Sequence, residues 1–471
     1  MLNLYAVVLT LIVAALLAVS LAQIRKVHTK ADYLVAGRSL PAYVLVFTLL
    51  SSWIGAGSLF AGAENAFHNG FAALWQPAGG WLGLLIIYFV APRARKFAQF
   101  TIPDLLEARY NTAARILGTI AILFAYTAIT SYQFRAGGDI LHLIFPAVAK
   151  MQGTVIIAAF VIVFTALAGM ASVAYMDVVI GILISVIGFI ALPVLFGRMG
   201  GWAGLHAALP ATHFTLFGEW GMVPGACGRA RKEALMKALE YFLPTFLLMI
   251  GNQSMYQKFF SAKSEKDASI AVVGSGLFAL SLAPAPDFAP REIIPFTARH
   301  FLPPFVGALL MGAVFAKVIS TANNYLFSPA TNLINDVYTR FIRPDASQKN
   351  VLLVSRFLVV ALGIWALVQG IKLTSVLAKA MYAYTIYSAA ITPVVMAAFF
   401  WRRATREGAV ACLLSGTVIT VAWDAAKTHL PKVIGERDAI FPALIVSVLA
   451  LVLVSLATPK PNREQVEQFY E

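Results

Sequence analysis

Apolar residues along this chain come in long runs rather than in alternation or in one-faced stripes. The first run, "LNLYAVVLTLIVAALLAVSLAQ", is followed by others to near the C-terminal end. Each is about 20 residues long, the length a helix needs to cross a bilayer. The runs predict spans at 2–23, 42–64, 71–91, 114–134, 153–171, 175–197, 238–257, 269–284, 303–328, 351–371, 376–400, 408–427 and 437–457. Lipid offers no partner to backbone N–H and C=O groups, so runs of this kind fold as helices. The expectation is an all-α membrane protein of about 13 transmembrane helices, forming one domain over residues 1–471. An odd count puts the termini on opposite sides.

Composition sharpens this. Of 471 residues 60% are hydrophobic and only 12% charged, against about 25% charged in an ordinary soluble domain. The net charge of +14 would suggest a nucleic-acid partner if it were gathered on one surface. Instead the cations cluster in short segments such as "IRKVHTK", "APRARK", "TRFIRPDASQK" and "WRRATREG". All of these fall on one face if the N-terminus is outside and the C-terminus cytoplasmic, as the positive-inside rule requires. "GRARK", in the loop after Arg198, is the exception. The charge therefore reports topology, in contact with a lipid bilayer and not nucleic acid. Cys227 and Cys412 are too far apart in sequence to suggest a disulfide framework. The first run is expected to be a retained anchor, too long for a signal-peptide core.

Polar interruptions of the runs carry the chemistry. "SSWIGAGSLFAGAEN", 51–65, and "LLMIGNQSMYQ", 247–257, each break an apolar helix with glycine and polar residues. Unwound backbone inside a membrane is tolerated where it lines a cavity or holds an ion. Glycine alone is equally a packing device between helices. The two breaks open corresponding positions of two five-helix sets, 42–197 and 238–400, joined by an outer loop over 198–237. A first helix with its cytoplasmic loop (1–41) precedes them, and two helices with a short tail (401–471) follow.

In "AKVISTANNYLFSP" Lys317, Ser320 or Thr321, Asn324 and Ser328 fall on one helical face. A lysine at mid-membrane costs about 2.5–3.5 kcal/mol on insertion scales, so this stripe should face the bundle or a cavity. Paired hydroxyls suit a hard cation, although they can also bond back to carbonyls one turn earlier. Asp177 begins an otherwise uncharged run. There it could complement a helix dipole or guard a cation exit. Glu64, beside Asn65, reads as an outer-end loop residue. Signatures of hydrolases, P-loop enzymes and zinc proteases are absent, so no enzyme is expected.

Taken together, "ADYLVAGRSLPAYV", "FTIPDLLEARY", "GMASVAYMDVV", "GNQSMYQKFFSAKSEKDA" and "AKVISTANNYLFSPATNLINDVYTRFI" resemble the sodium:solute symporter family, in that family's order across about 32–350. The resemblance implies a LeuT-like five-plus-five inverted repeat in a bacterial inner membrane, with Na⁺ as the co-transported ion. It also implies backbone ligands at Ser51, Ile54 and Lys317, hydroxyl ligands at Ser320 and Thr321, and a cytoplasmic-side exit gate at Asp177. Substrate contacts would come from Trp53, Gln76, Asn252, Gln253, Tyr384 and Thr385. Leu248 and Met249 replace the stacking aromatic of sugar-carrying relatives, and the first break is similar to the choline-transporting branch.

The expected function is Na⁺-coupled symport of a small organic solute by alternating access, with no obligatory protein partner. Two alternatives stay open: a sodium-independent or proton-coupled carrier in which the Lys317 ammonium stands in for the cation, and a membrane solute sensor.

Overall fold

A computed structural model describes every residue except 1, 25–28, 98–99, 168, 222–226, 268–292, 432–434, 436 and 471. Among the described residues the secondary structure is helical apart from one isolated bridge between Leu40 and Ala262. Ten helical stretches among the described residues are long and apolar enough to cross a membrane. Helices occupy all of the expected spans except 269–284, which lies outside the described residues.

The first helix is α1 (Leu2–Ile24). The first five-helix unit follows: α2 (Ala42–Trp53) and α3 (Ala56–Asn69), two halves of one broken helix, then α4 (Trp75–Lys96), α5 (Thr112–Ile144), α6 (Lys150–Leu167) and α7 (Met170–Arg198). The second unit opens with another broken helix, α8 (Cys227–Gly251) and α9 (Gln253–Ser261). It continues with α10 (Pro304–Asn332), α11 (Gln348–Ile371), and α12 (Val376–Ile386) running through a wide turn into α13 (Thr392–Phe400). Two helices close the chain, α14 (Arg406–Ala426) and α15 (Ile440–Ala457). The expected outer loop over 198–237 contains a short helix, Gly201–Ala208, and the beginning of α8. Glu64 lies inside α3 rather than in a loop.

Packing puts the polar helices inside. α4 lies along α8, while α10 packs against α5, α7 and α1. Residues of α10 from Ala313 to Asn332 are buried without exception, the lysine and all three asparagines included. Large apolar residues such as Leu85, Phe89, Val163, Phe189, Phe357 and Trp365 are exposed on outer helices. A surface of that kind is covered by lipid.

The end of the bundle that the charge rule assigns to the cytoplasm is closed by ions. Arg115 pairs with Asp104, with Glu107 at 2.9 Å and with Asp336 at 3.8 Å. Thr101 donates to Asp336 at 2.8 Å, and Asn335 to Asp104 at 2.6 Å. "FTIPDLLEARY" and "NDVYTRF" are thus two sides of one seal.

Glycines allow the closest helix contact in the first unit. A Cβ on Gly138 of α5 would lie 2.4 Å from the Thr154 backbone nitrogen, and one on Gly153 would lie 2.8 Å from the Gly138 carbonyl oxygen. Forcing such a contact costs about 1–3 kcal/mol. Gly138→Val should lower the melting temperature of the purified protein by several degrees. Gly197→Ala, at a glycine with nothing within 4 Å of its added carbon, should not. Equal melting temperatures for the two variants would show that α5 and α6 are not so tightly packed.

Candidate functional site

A helix that stops inside a membrane leaves carbonyls without partners. At the first break Ile54 and Gly55 leave the helical conformation, with Ile54 at ψ 122° and Gly55 at φ −165°. Side-chain hydroxyls then take the stranded carbonyls. Tyr325 donates to Ser52 O at 2.9 Å and Ser58 to Trp53 O at 3.2 Å. The Thr321 hydroxyl faces two such oxygens, at 2.7 Å from Ile54 O and 3.3 Å from Ser51 O, and lies 2.9 Å from Lys317 O one turn back on its own helix. Glycine is needed at 55 for space: a Cβ there would meet Thr321 and Gln133 at 2.7–2.9 Å. Gln133 in turn accepts from Ala56 N at 2.9 Å, covering the start of α3.

The second break is built on Asn252, whose side chain caps α9 by accepting from Ser254 N and Met255 N. Its amide also accepts from Tyr126 OH at 2.7 Å and donates to Tyr325 OH at 3.0 Å. One residue therefore ties the second break to α5 and α10, and through Tyr325 to the first break.

The five expected cation ligands come together, but as two clusters sharing Ser51. One is the carbonyl corner around Thr321. The other is a hydroxyl and carboxylate corner, where Ser320 Oγ lies 2.6 Å from Ser51 Oγ and both donate to Asp177 Oδ1. Thr48 at 2.5 Å and Asn324 Nδ2 at 3.2 Å donate to Oδ2. Asp177 is fully buried two turns into α7. It touches two of the expected ligands directly. Ser320 makes no bond back along its own helix, whereas Thr321 does so while also spanning to α2. The Lys317 ammonium donates to Ser51 Oγ at 2.7 Å, on the Asp177 side and away from the carbonyl corner.

Sequence reasoning missed Lys258. It is fully buried on α9, and its ammonium donates to Ser52 Oγ, to Ser254 Oγ at 3.0 Å and to Asn324 Oδ1 at 2.9 Å. Three acceptors match the three donors of an ammonium. The available signal was a lysine between polar and aromatic residues, in "SMYQKFF", six positions beyond the break.

Of the expected substrate contacts, Trp53, Gln76 and Tyr384 line a cavity of about 280 Å³ that also reaches Ile54, Ser58, Trp81 and Thr297. Gly70, Phe71 and Phe301 also line it, and no residue of the Arg115 seal does. Its wall carries no charged side chain among the described residues, and Gln76 Oε1 is buried without a partner. Asn252, Gln253 and Thr385 are buried off this wall. Gln253 accepts from Ile102 N at 2.6 Å, and its own N–H donates to Tyr387 OH.

A model of the sodium:solute symporter family matches residues 33–416. The sodium/proline symporter of Staphylococcus aureus is 25% identical over 469 residues, covering 92% of this chain and 88% of that protein. Among solved structures, a substrate-bound, outward-open Na⁺-coupled sialic acid symporter matches with a TM-score of 0.79 at 16% identity, over 98% of this chain and 99% of that one. A nucleobase-cation-symport-1 family transporter in a closed conformation matches with a TM-score of 0.59 at 12% identity, over 94% and 99%.

Asn252→Ala removes a helix cap and leaves two buried tyrosine hydroxyls short of a partner. The cost should be about 1–3 kcal/mol, read as a lower unfolding midpoint of the purified protein. Asn252→Ser, which keeps an oxygen for the cap, should lose less. If the alanine variant is as stable as the wild type, the break is not held by this side chain.

Proposed function

The chain belongs to the sodium:solute symporter family, and we propose from that premise that it is a Na⁺-coupled symporter moving a small organic solute by alternating access. It is a multi-pass membrane protein with a LeuT-like helical fold. On this reading it sits in the plasma membrane with its N-terminus outside, as the cationic segments favour.

The carbonyl corner carries the reading. Ser51 O and Ile54 O, both freed by the break, approach one hydroxyl, which has a single proton to give, and Lys317 O, already bonded within its own helix, lies beside them. One of the two freed oxygens is therefore opposed by an oxygen lone pair in a water-poor interior. The C-terminal end of α2 adds the negative end of its dipole at the same point. A small hard cation taking oxygen ligands relieves that repulsion. Ser51 and Ile54 belong to the first broken helix and Lys317 and Thr321 to α10, so an ion held there joins α2 to α10. It favours the conformer in which the inner half is closed and the cavity open.

The solute would bind in the cavity, whose wall includes Ile54, itself a carbonyl ligand. Ion and solute sites thus share one stretch of unwound backbone, and this lets either ligand favour the other. Trp53, Trp81 and Tyr384 supply apolar surface, and Gln76 an unmet hydrogen-bond acceptor.

A ligand that binds only the folded state stabilises it by RT ln(1 + [L]/Kd). Na⁺, and not K⁺ or choline at equal ionic strength, should raise the melting temperature of the purified protein. Thr321→Val keeps the shape and removes the oxygen, so half-saturation should move to at least about tenfold higher Na⁺, or about 1.4 kcal/mol. A wild type indifferent to the choice of cation would end this reading.

A further inference from the structure

The Lys317 ammonium is unexplained by a carbonyl site, since only its backbone oxygen is needed there. Its surroundings give it a role. Asp177 accepts from four donors, two on each oxygen, which is the full set an ionised carboxylate takes. Ser51 and Ser320 both commit their protons to it. Hydroxyls oriented this way present lone pairs on their other side. Those two oxygens, 2.6 Å apart, are a place for a positive charge. The Lys317 ammonium is at 2.7 Å from one of them, on a fully buried side chain. Its other two N–H groups have no acceptor among the described residues, so the buried carboxylate beyond Ser51 is what favours a cation there. Lys258, by contrast, is saturated by its own three acceptors and reaches Asp177 only through Asn324.

We propose that the Lys317 ammonium is a tethered cation filling a second cation site formed by Asp177, Ser51 and Ser320, which leaves the carbonyl corner as the one place for Na⁺. The carrier then binds a single Na⁺ per chain. The second positive charge stays with the protein through the cycle and is never transported. Replacing the ammonium with a neutral oxygen-bearing side chain opens the second site to Na⁺. The inference rests on the carbonyl corner being a Na⁺ site, as proposed above.

Equilibrium binding of radioactive Na⁺ to the purified full-length protein tests this without knowledge of the solute. One Na⁺ per chain is expected for the wild type and for Lys317→Arg. Two are expected for Lys317→Ser and for Lys317→Gln, the second being closer in shape should the serine variant fail to fold. Two ions in the wild type, or one in a folded neutral variant, overturns the tethered-cation proposal and leaves Na⁺ coupling standing. No ion in the wild type with one gained in the neutral variants overturns it differently, because the ammonium would then displace the coupling ion itself. No ion in any of them removes the Na⁺ site on which the proposal depends.

Discussion

A carboxylate buried in a membrane protein needs its charge answered, and the core of this molecule is arranged around doing so for Asp177. Its donors come from both halves of the fold: Thr48 and Ser51 on α2 from the first, Ser320 and Asn324 on α10 from the second. Two ammoniums stand one residue away, Lys317 through Ser51 and Lys258 through Asn324. Neither touches the carboxylate; each relay is a neutral group donating to Asp177 while accepting from a lysine. Such an arrangement keeps the ions solvated by protein dipoles, which is what makes buried charge tolerable. It also pulls α2, α7 and α10 together next to the break that ends α2.

The breaks follow from hydrogen-bond accounting. Carbonyls released at Ser51, Ser52, Trp53 and Ile54 are each faced by a hydroxyl from another residue, and the choice of residue sets what the site can do. Tyr325 and Ser58 each satisfy one oxygen and hold the backbone. Thr321 faces two with a single proton, so on the proposed reading that point retains an appetite for a cation. Asn252 plays the holding role at the second break, and its contacts with Tyr126 and Tyr325 transmit the position of one break to the other.

Much of this was legible in the sequence. The run lengths gave the helices, and glycine with adjacent polar residues located both breaks. The spacing of Lys317, Thr321 and Asn324 put them on one inward face of α10. What could not be read was which side of that face each group serves. Ser320 and Thr321 are neighbours in sequence, yet they point to different clusters, since successive helical residues diverge by about 100°. Lys258 was invisible for a related reason. A lysine near the end of a span usually snorkels to the interface, and only the packing of α9 between α2 and α10 turns it inward. Asn252 and Gln253 looked like pocket residues because a broken helix suggests a lined cavity. In the structure the break is filled by tyrosines, and the cavity lies beside the other one.

The two clusters meeting at Ser51 also constrain the transport cycle. The inner half stays closed while α2, α9 and α10 remain apposed, and polar contacts at two depths hold them: the Lys258 cage joining Ser52, Ser254 and Asn324, and the Asp177 set below the carbonyl corner. Opening must part α2 from α10, which strips Thr321 from Ile54 O and Ser320 from Ser51. On the proposed reading, a Na⁺ at the carbonyl corner would resist that separation, so that its departure and the opening would be one event. The Lys317 ammonium reaches Asp177 only through Ser51 of α2, so on the proposed reading it would lose that relay as α2 leaves, whereas Ser320 and Asn324, on α10 itself, would still donate to the carboxylate.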